Sequence, residues 1–197
     1  MAEEPFRTRG TAVPPEQRAH RHREAVRVVV LAAGQVLLLC DTDPGAPGSR
    51  WHVLPGGGID EGETALAAAV RELAEETGQV VAPHDLLGPL VRRVVVHGYS
   101  DQVTVQAEDI FVWRAPVPFE LDTSGHTESE RLTFQSHAWW PVSALPTDAP
   151  VWPADLPAWL ALLDHPEQWP VDVGGVEEST VPVALGHAGV DLGYVQR

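Results

Sequence analysis

The hydrophobic pattern near the start of the chain predicts a β-hairpin. Val26–Leu31 and Gln35–Cys40 are two largely apolar runs on either side of the short segment Ala32–Gly34. Runs of this length, rich in Val and Leu and separated by a turn with glycine, are typical of paired strands. A third apolar run, Trp51–Leu54, is followed by a proline and three glycines, so we expect a short strand that ends there.

The spacing of apolar residues changes to a helical period over Thr64–Thr77. Leu66, Val70 and Leu73 recur along this segment at the spacing of one helix face and form an apolar stripe. The segment starts with a threonine and is followed directly by a glycine, which are favourable residues for the two ends of a helix. The pattern therefore predicts an amphipathic α-helix here.

The later pattern predicts more strands and a closing helix. Leu90–His97 and Gln102–Trp113 favour a second hairpin, Phe134–Trp140 a further strand, and Leu156–Asp164 an amphipathic helix. Residues 114–131 form a long polar loop, and loops of this length are often functional. Strand pairs, a helix, more strands and a last helix indicate an α/β fold in which helices cover both faces of a mixed sheet.

The chain divides into three predicted parts. Residues 1–24 are polar, with three prolines, and read as an extended N-terminal arm. Residues 25–169 contain the periodic segments and form the predicted domain. Residues 170–197 form a tail rich in Gly and Val, either flexible or binding a partner through an added strand.

The charge of the chain excludes some classes of partner. Its 197 residues include 13 basic and 28 acidic ones, a formal net charge of -15. Such a surface repels polyanions, so we expect no nucleic-acid binding. No apolar run approaches the ~18 residues that cross a bilayer, so we expect no membrane association. A small anionic substrate would need positive charge inside its site, which points to metal ions.

The cysteine content bears on the compartment. Cys40 is the only cysteine, which excludes a disulfide within the chain and fits a reducing cytoplasm. The first residues are acidic where a secretory signal would be basic and then apolar. We therefore expect a cytoplasmic protein.

Three carboxylates share one face of the predicted helix. Glu72, Glu75 and Glu76 lie at positions i, i+3 and i+4. Like charges at this spacing destabilise a helix by roughly 0.2–0.5 kcal/mol per pair, and the helix dipole also disfavours anions near the C-terminus. This arrangement is either a solvated face of an acidic protein or a set of metal ligands.

A glycine loop before the helix favours the metal site. Gly56–Gly58 allows the backbone to approach a ligand closely, and a carbonyl there could complete a shell of oxygen ligands. Mg²⁺ prefers oxygen ligands and keeps several waters. Loop and helix together predict an open Mg²⁺ site suited to phosphate chemistry.

This segment closely resembles the Nudix box of MutT-like hydrolases. The matching residues are Gly57, Glu63, Arg71, Glu72, Leu73, Glu75, Glu76 and Gly78. Gln79 departs from the pattern, since the family usually has an aliphatic residue there. A wider resemblance to Nudix hydrolases covers about residues 26–165. It implies an α/β/α sandwich with a mixed β-sheet between helices, and hydrolysis of a nucleoside diphosphate linked to another moiety.

The resemblance also implies roles for individual residues. By position, the ligands of Mg²⁺ or Mn²⁺ would be the Gly56 carbonyl and the side chains of Glu72, Glu75 and Glu76. Glu63 and Arg71 would brace the loop against the helix. In this family the general base is a glutamate of the helix or one of a later loop. Glu128 and Glu130 are the loop candidates here, with exposed acids as the alternative.

Residues for substrate binding are less sharply indicated. Trp51 could stack on a base or be a buried scaffold residue, and Tyr99 could line the mouth of the site or be exposed. Arg92 and Arg93 point to opposite sides of their strand, so at most one reaches a phosphate, and we assign Arg93. Glu108 shares a strand face with polar neighbours and is a rival for a role in the site.

Two functions remain open from the sequence. The first is metal-dependent hydrolysis of a pyrophosphate linkage by in-line attack of an activated water. Its substrate would be an ADP-ribose-like compound, a nucleotide sugar or a (d)NTP. The alternative is a non-catalytic, nucleotide-binding regulatory Nudix module. Such a module could lose Glu75 or Glu76, so the intact set favours the enzyme. A homodimer stays open.

Overall fold

The computed structural model describes residues 11–183, which form a mixed β-sheet with helices on both faces. Its strands are β1 (Ala19–Ala32), β2 (Gln35–Asp41), β3 (Trp51–Val53), β4 (Leu86–Gly98), β5 (Gln102–Arg114), β6 (Phe134–Pro141), β7 (Val151–Trp152) and β8 (Val171–Glu177). Its α-helices are α1 (Ala65–Thr77), α2 (Glu128–Thr133) and α3 (Leu156–Leu160), and short 3₁₀ turns cover Pro15–Gln17, Pro83–Asp85 and Pro166–Gln168.

The long strand β1 lies near the middle of the sheet. The strand order is β7-β3-β2-β1-β5-β4-β8, and β6 pairs with β2 beside this path. Strand β1 is antiparallel to β2 and parallel to β5, and its register with β5 runs from Ala19 opposite Gln102 to Leu31 opposite Arg114. Both predicted hairpins, β1–β2 and β4–β5, are present as antiparallel pairs.

Two strands extend past the boundaries that the sequence predicts for the domain. Strand β1 begins at Ala19, so residues 19–24 belong to the sheet and pair with β5. Strand β8 lies after residue 169 and pairs in parallel with β4 of the same chain. The end of the predicted arm and the start of the predicted tail are thus strand segments in the sheet. The predictions for residues 1–10 and 184–197 lie outside the described residues.

Two apolar layers hold the helices on opposite faces of the sheet. One joins α1 to strands β1, β2 and β5, and its fully buried members include Val28, Leu37 and Leu73. The other joins α3 to the same strands, and it buries Leu38 and Leu156. This layering confirms the predicted α/β/α arrangement. Among the described residues, no helix is long and apolar enough to cross a bilayer.

Helix α1 begins and ends as its capping residues predict. Thr64 Oγ1 accepts a hydrogen bond from Ala67 N at 3.2 Å. Gly78, with φ of 74°, donates from its N–H to the Ala74 carbonyl. The most buried side of α1 carries alanines and Leu73 but also Glu72, whereas Leu66 and Val70 of the predicted stripe are only partly buried. The helix therefore turns acidic residues toward the protein interior.

The end of β4 carries a buried histidine whose charge state is coupled to folding. His97 is 3% exposed, and its Nδ1–H donates to the Glu178 carbonyl at 2.6 Å. Burial lowers the pKa of His97 from 6.5 to about 3. The unfolded chain therefore binds this proton at a higher pH than the folded protein does, and folding loses free energy as the pH falls below about 6.5.

We expect His97→Gln to flatten the pH dependence of stability. Between pH 7 and pH 5 the parent should lose about 2 kcal/mol of unfolding free energy through this histidine, and the variant should be spared that loss. Urea unfolding at both pH values measures the difference. His84→Gln, a change at an exposed histidine, is the matched control and should behave like the parent. Equal pH dependence in parent and His97→Gln would contradict the assignment.

Candidate active site

Three glutamates from the two helices α1 and α2 lie close together. One carboxylate oxygen each from Glu72, Glu76 and Glu130 lies within 4.8 Å of the others. Glu72 and Glu76 are one turn apart on α1 and are buried, and Glu130 is delivered by α2. We call these three residues the glutamate cluster.

The loop before α2 is held against α1, which brings Glu130 into the cluster. A Cβ at Gly125 would lie 2.6 Å from the Glu75 carbonyl oxygen, so only glycine allows this close packing. The His126 Nε2 atom lies 3.2 Å from the Glu76 carbonyl oxygen. These two contacts fix where α2 begins relative to α1.

A capping box at the start of α2 orients the Glu130 carboxylate. Thr127 N donates to Glu130 Oε2 at 2.6 Å, and Glu130 N donates to Thr127 Oγ1 at 3.3 Å. The sequence Thr-Glu-Ser-Glu is a typical signature of this motif. A glutamate that caps a helix thus also contributes to the cluster.

The glycine loop packs against the cluster from the other side. Gly56 N donates to Glu76 Oε2 at 2.6 Å. A Cβ at Gly56, where φ is 135°, would lie 2.2 Å from the Val26 carbonyl oxygen, and a Cβ at Gly57 would lie 2.6 Å from Glu72 Oε1. Glycine is therefore favoured at Gly56 because the loop passes close to the β1 backbone there, and at Gly57 because a side chain would displace the Glu72 carboxylate.

Arg71 joins the glycine loop to α1. Its Nη2 donates to Glu63 Oε2 at 2.9 Å and to the Gly58 carbonyl at 2.7 Å, and its Nε donates to Glu63 Oε1 at 3.1 Å. Its Nη1 reaches Glu72 Oε1 at 2.8 Å and Glu75 Oε2 at 3.0 Å. One guanidinium therefore spans the loop and two carboxylates of the helix.

Glu75 lies outside the glutamate cluster. Its side chain is 40% exposed and pairs with Arg71. Glu130 occupies the third place in the cluster instead. A metal-ligand role for Glu75 stays a prediction.

The electrostatics of the cluster favour a cation. Burial, opposed by Arg71, raises the pKa of Glu72 to about 7. Burial and the nearby charges of Glu72 and Glu130 raise the pKa of Glu76 well above its usual range. An all-oxygen donor set whose members repel one another fits a hard divalent cation such as Mg²⁺ or Mn²⁺. The cluster could therefore hold such an ion.

The cluster opens into a cleft of about 950 Å³. Besides the cluster and the glycine loop, its lining includes Arg21, Arg23, Arg27, Trp51, Tyr99 and Glu128. The sequence reasoning missed the arginines of β1. Arg21, Arg23 and Arg27 occupy alternate positions of one strand face, a signal that becomes visible once β1 is extended back to residue 19.

Two aromatic residues predicted for the substrate lie in the wall of this cleft and are largely buried. Trp51 stacks on Trp152, with ring centroids 4.8 Å apart, and its centroid is 6.1 Å from that of Tyr99. Both Trp51 and Tyr99 are about one-twentieth exposed. They form a fixed wall that presents little ring surface.

Arg93 and Glu108 do not line the cleft. Arg93 Nε donates to Glu108 Oε2 at 2.6 Å, and the side chains are 3% and 0% exposed. Burial alone would raise the pKa of Glu108, but Arg93 and Arg27 outweigh it and lower that pKa to about 2. Glu108 is therefore a buried, ion-paired carboxylate. Roles of Arg93 and Glu108 in contact with substrate stay predictions.

The fold resembles solved MutT structures. The mutator MutT protein from Bacillus halodurans matches with a TM-score of 0.52 at 19% sequence identity, over 80% of this chain and 91% of that one. The MutT protein from Methanosarcina mazei Go1 matches with a TM-score of 0.51 at 17% identity, over 74% of this chain and 97% of that one. At these identities the likeness shows a shared fold.

The sequence of this chain matches a protein-family model. Residues 21–160 match the family model described as NUDIX domain. The matched range runs from Arg21 in β1 to Leu160 at the end of α3, and it contains the glycine loop and every member of the glutamate cluster. The chain therefore belongs to the Nudix family of pyrophosphohydrolases.

Proposed function

We propose that this protein hydrolyses the pyrophosphate linkage of a nucleoside diphosphate derivative with Mg²⁺ or Mn²⁺ as cofactor. The observation that carries the proposal is the glutamate cluster, in which three carboxylate oxygens lie within 4.8 Å of one another at a cleft. A net charge of -15 is a poor environment for a pyrophosphate unless a cation accompanies it.

The residues proposed to hold the ion all line the cleft. Glu72, Glu76 and Glu130 would be ligands, with Glu75 and the Gly56 carbonyl as further donors predicted from the Nudix box. That carbonyl also accepts a hydrogen bond from Arg27 Nη1 at 2.7 Å, and its second lone pair remains for a ligand. When bound, the ion supplies positive charge to the pyrophosphate oxygens and activates water.

Glu128 is the proposed general base. Glu128 is the first residue of α2, and it lines the cleft. Glu130, the other loop candidate, is part of the cluster and also holds the α2 cap. Glu128 would take a proton from the water that attacks phosphorus, and the bridging P–O bond opposite that water would break.

The β1 arginines and the aromatic wall are proposed to bind the rest of the substrate. Arg21 and Arg23 would contact phosphate oxygens, because guanidinium groups match phosphate geometry. Trp51 and Tyr99 would border the nucleobase. These contacts are compatible with an ADP-ribose-like compound, a nucleotide sugar or a (d)NTP. A panel of these compounds, assayed by phosphate release through a coupled phosphatase, identifies the substrate.

A cytoplasmic site of action completes the proposal. The only cysteine of the chain, Cys40, is a buried free thiol, and burial raises its pKa. A chain of this kind needs no oxidising compartment for folding.

Hydrolysis should depend on a divalent cation. Excess EDTA should abolish turnover, and Mg²⁺ or Mn²⁺ should restore it, because the three clustered carboxylates repel a pyrophosphate unless a cation lies between them. Phosphate release from the substrate panel is the measurement. Full turnover in EDTA would contradict the proposal, and nucleotide binding with no hydrolysis of any panel member would support a regulatory module instead.

Glu76→Gln should separate metal binding from folding. Turnover with saturating Mg²⁺ should fall by about 100-fold or more, since a ligand charge is lost. The metal-free protein should melt at the same or a higher temperature, because the buried carboxylate is opposed by desolvation and by Glu72.

Two further variants complete the Glu76 experiment. Glu167→Gln, at an exposed glutamate far along the chain, is the matched control and should change neither quantity. Glu75→Gln should also lower turnover if Glu75 is a ligand. A Glu76→Gln protein that melts lower and hydrolyses normally would show that the cluster is scaffold.

Glu128→Gln should lower turnover with little change in the Mg²⁺ concentration for half-maximal activity. The reason is that a general base acts on the proton of water and not on the ion. Glu130→Gln should instead raise that Mg²⁺ concentration, because Glu130 belongs to the cluster. Kinetic titration with Mg²⁺ measures both effects, and the reverse outcome would exchange the two roles.

A further inference from the structure

We propose that Glu178, beyond the segment that matches the family, is a positioning residue for the glycine loop of the active site. Glu178 directly follows β8 and is 4% exposed. The effect on catalysis rests on the proposed function, but the structural connection does not. It consists of an unbroken series of buried ion pairs and hydrogen bonds that crosses the sheet, which we call the ion-pair chain.

The first link of the ion-pair chain joins Glu178 to β4. Arg93 Nη1 donates to Glu178 Oε1, and Arg93 Nη2 donates to Glu178 Oε2, each at 2.9 Å. Ala154 N donates to Glu178 Oε1 at 2.8 Å. A bidentate contact of this kind fixes the orientation of the guanidinium plane. Glu178 therefore sets the direction in which the rest of Arg93 points.

The next links cross β5 and reach the active site. Arg93 Nε donates to Glu108 Oε2 at 2.6 Å, and Arg27 Nε donates to Glu108 Oε1 at 3.3 Å. Arg27 Nη1 then donates to the carbonyls of Gly56 at 2.7 Å and Leu54 at 3.2 Å. The ion-pair chain thus ends on the backbone that enters the glycine loop.

Gly56 connects this chain to the glutamate cluster. Its carbonyl receives the Arg27 guanidinium, while its N–H donates to Glu76 Oε2. The peptide groups on both sides of Gly56 are therefore held, one by the ion-pair chain and one by a proposed metal ligand. A shift of Arg27 would move the backbone to which Glu76 is bonded.

Charge balance explains why Glu178, at the far end of the ion-pair chain, affects the glycine loop. Two cations, Arg27 and Arg93, face two anions, Glu108 and Glu178, and their side chains are between 0% and 12% exposed. Loss of the Glu178 charge would leave two buried cations to share Glu108. Because Arg93 makes the shorter contact, we expect Glu108 to move toward it, which weakens the hold of Arg27 on Gly56.

The test compares Glu178→Gln with Glu177→Gln. The control removes the same charge one residue earlier, outside the ion-pair chain, and its glutamine keeps an oxygen that can accept from Val183 N as Glu177 does. Amide hydrogen exchange of the peptide that spans residues 54–58 is measured without metal, together with melting temperature. The turnover number and KM are then measured with saturating Mg²⁺ on the substrate that the panel identifies.

Glu178→Gln should speed exchange in the loop by about tenfold and lower the turnover number by about tenfold, with KM changed much less. Glu177→Gln should change none of these quantities. A Glu178→Gln protein that melts lower but keeps the parent's loop exchange and turnover would overturn the proposal. If that variant does not fold, Glu178→Asp, which keeps the charge but shortens the side chain, should still exchange faster in the loop.

A double variant tests the route of the effect. Glu178→Gln combined with Arg27→Gln should lower the turnover number no further than Arg27→Gln alone, because both act through the same contact. Additive losses would overturn the ion-pair chain as the route. If the parent hydrolyses nothing, the proposed function fails, yet the exchange measurement still decides whether Glu178 positions the loop.

Discussion

The burial of two carboxylates on the inner side of α1 is costly, and the surrounding structure is arranged to offset that cost. Glu72 and Glu76 are buried one turn apart, and burial raises the pKa of each. Arg71 offsets part of this cost from the loop side, and the Gly56 N–H offsets part from the backbone. Glycine is needed at both positions of the loop, because a Cβ at Gly56 would meet the Val26 carbonyl and a Cβ at Gly57 would meet the Glu72 carboxylate.

Three arginines of the described residues, Arg27, Arg71 and Arg93, each bind carboxylates, and two of them also bind backbone carbonyls. Arg71 spans the loop and helix, Arg27 lines the cleft, and Arg93 is buried against Glu108. Their planar, forked donors can bind two acceptors at once, which a lysine ammonium does less well. This use of arginine accounts for a site that is ordered by charge although the chain as a whole is strongly negative.

The sequence predicted the parts whose hydrophobic period is clear. The fold class, the two hairpins and α1 are confirmed, because apolar spacing and capping residues determine them locally. The start of β1 could not be read this way, since residues 19–24 are polar and their strand is set by pairing with the polar face of β5. Glu178 was missed for a related reason, because its partner Arg93 is distant in sequence and only the sheet brings them together.

The capping box of α2 has a consequence for how the cleft is assembled. A helix of six residues is too short to be stable by itself, so its order depends on the contacts at its first turn. The Glu130 carboxylate accepts the capping hydrogen bond from Thr127 N and is also a member of the glutamate cluster. Binding of a cation by Glu130 would therefore be thermodynamically linked to the local stability of this segment, and it would shift the equilibrium between the formed and the frayed first turn of α2.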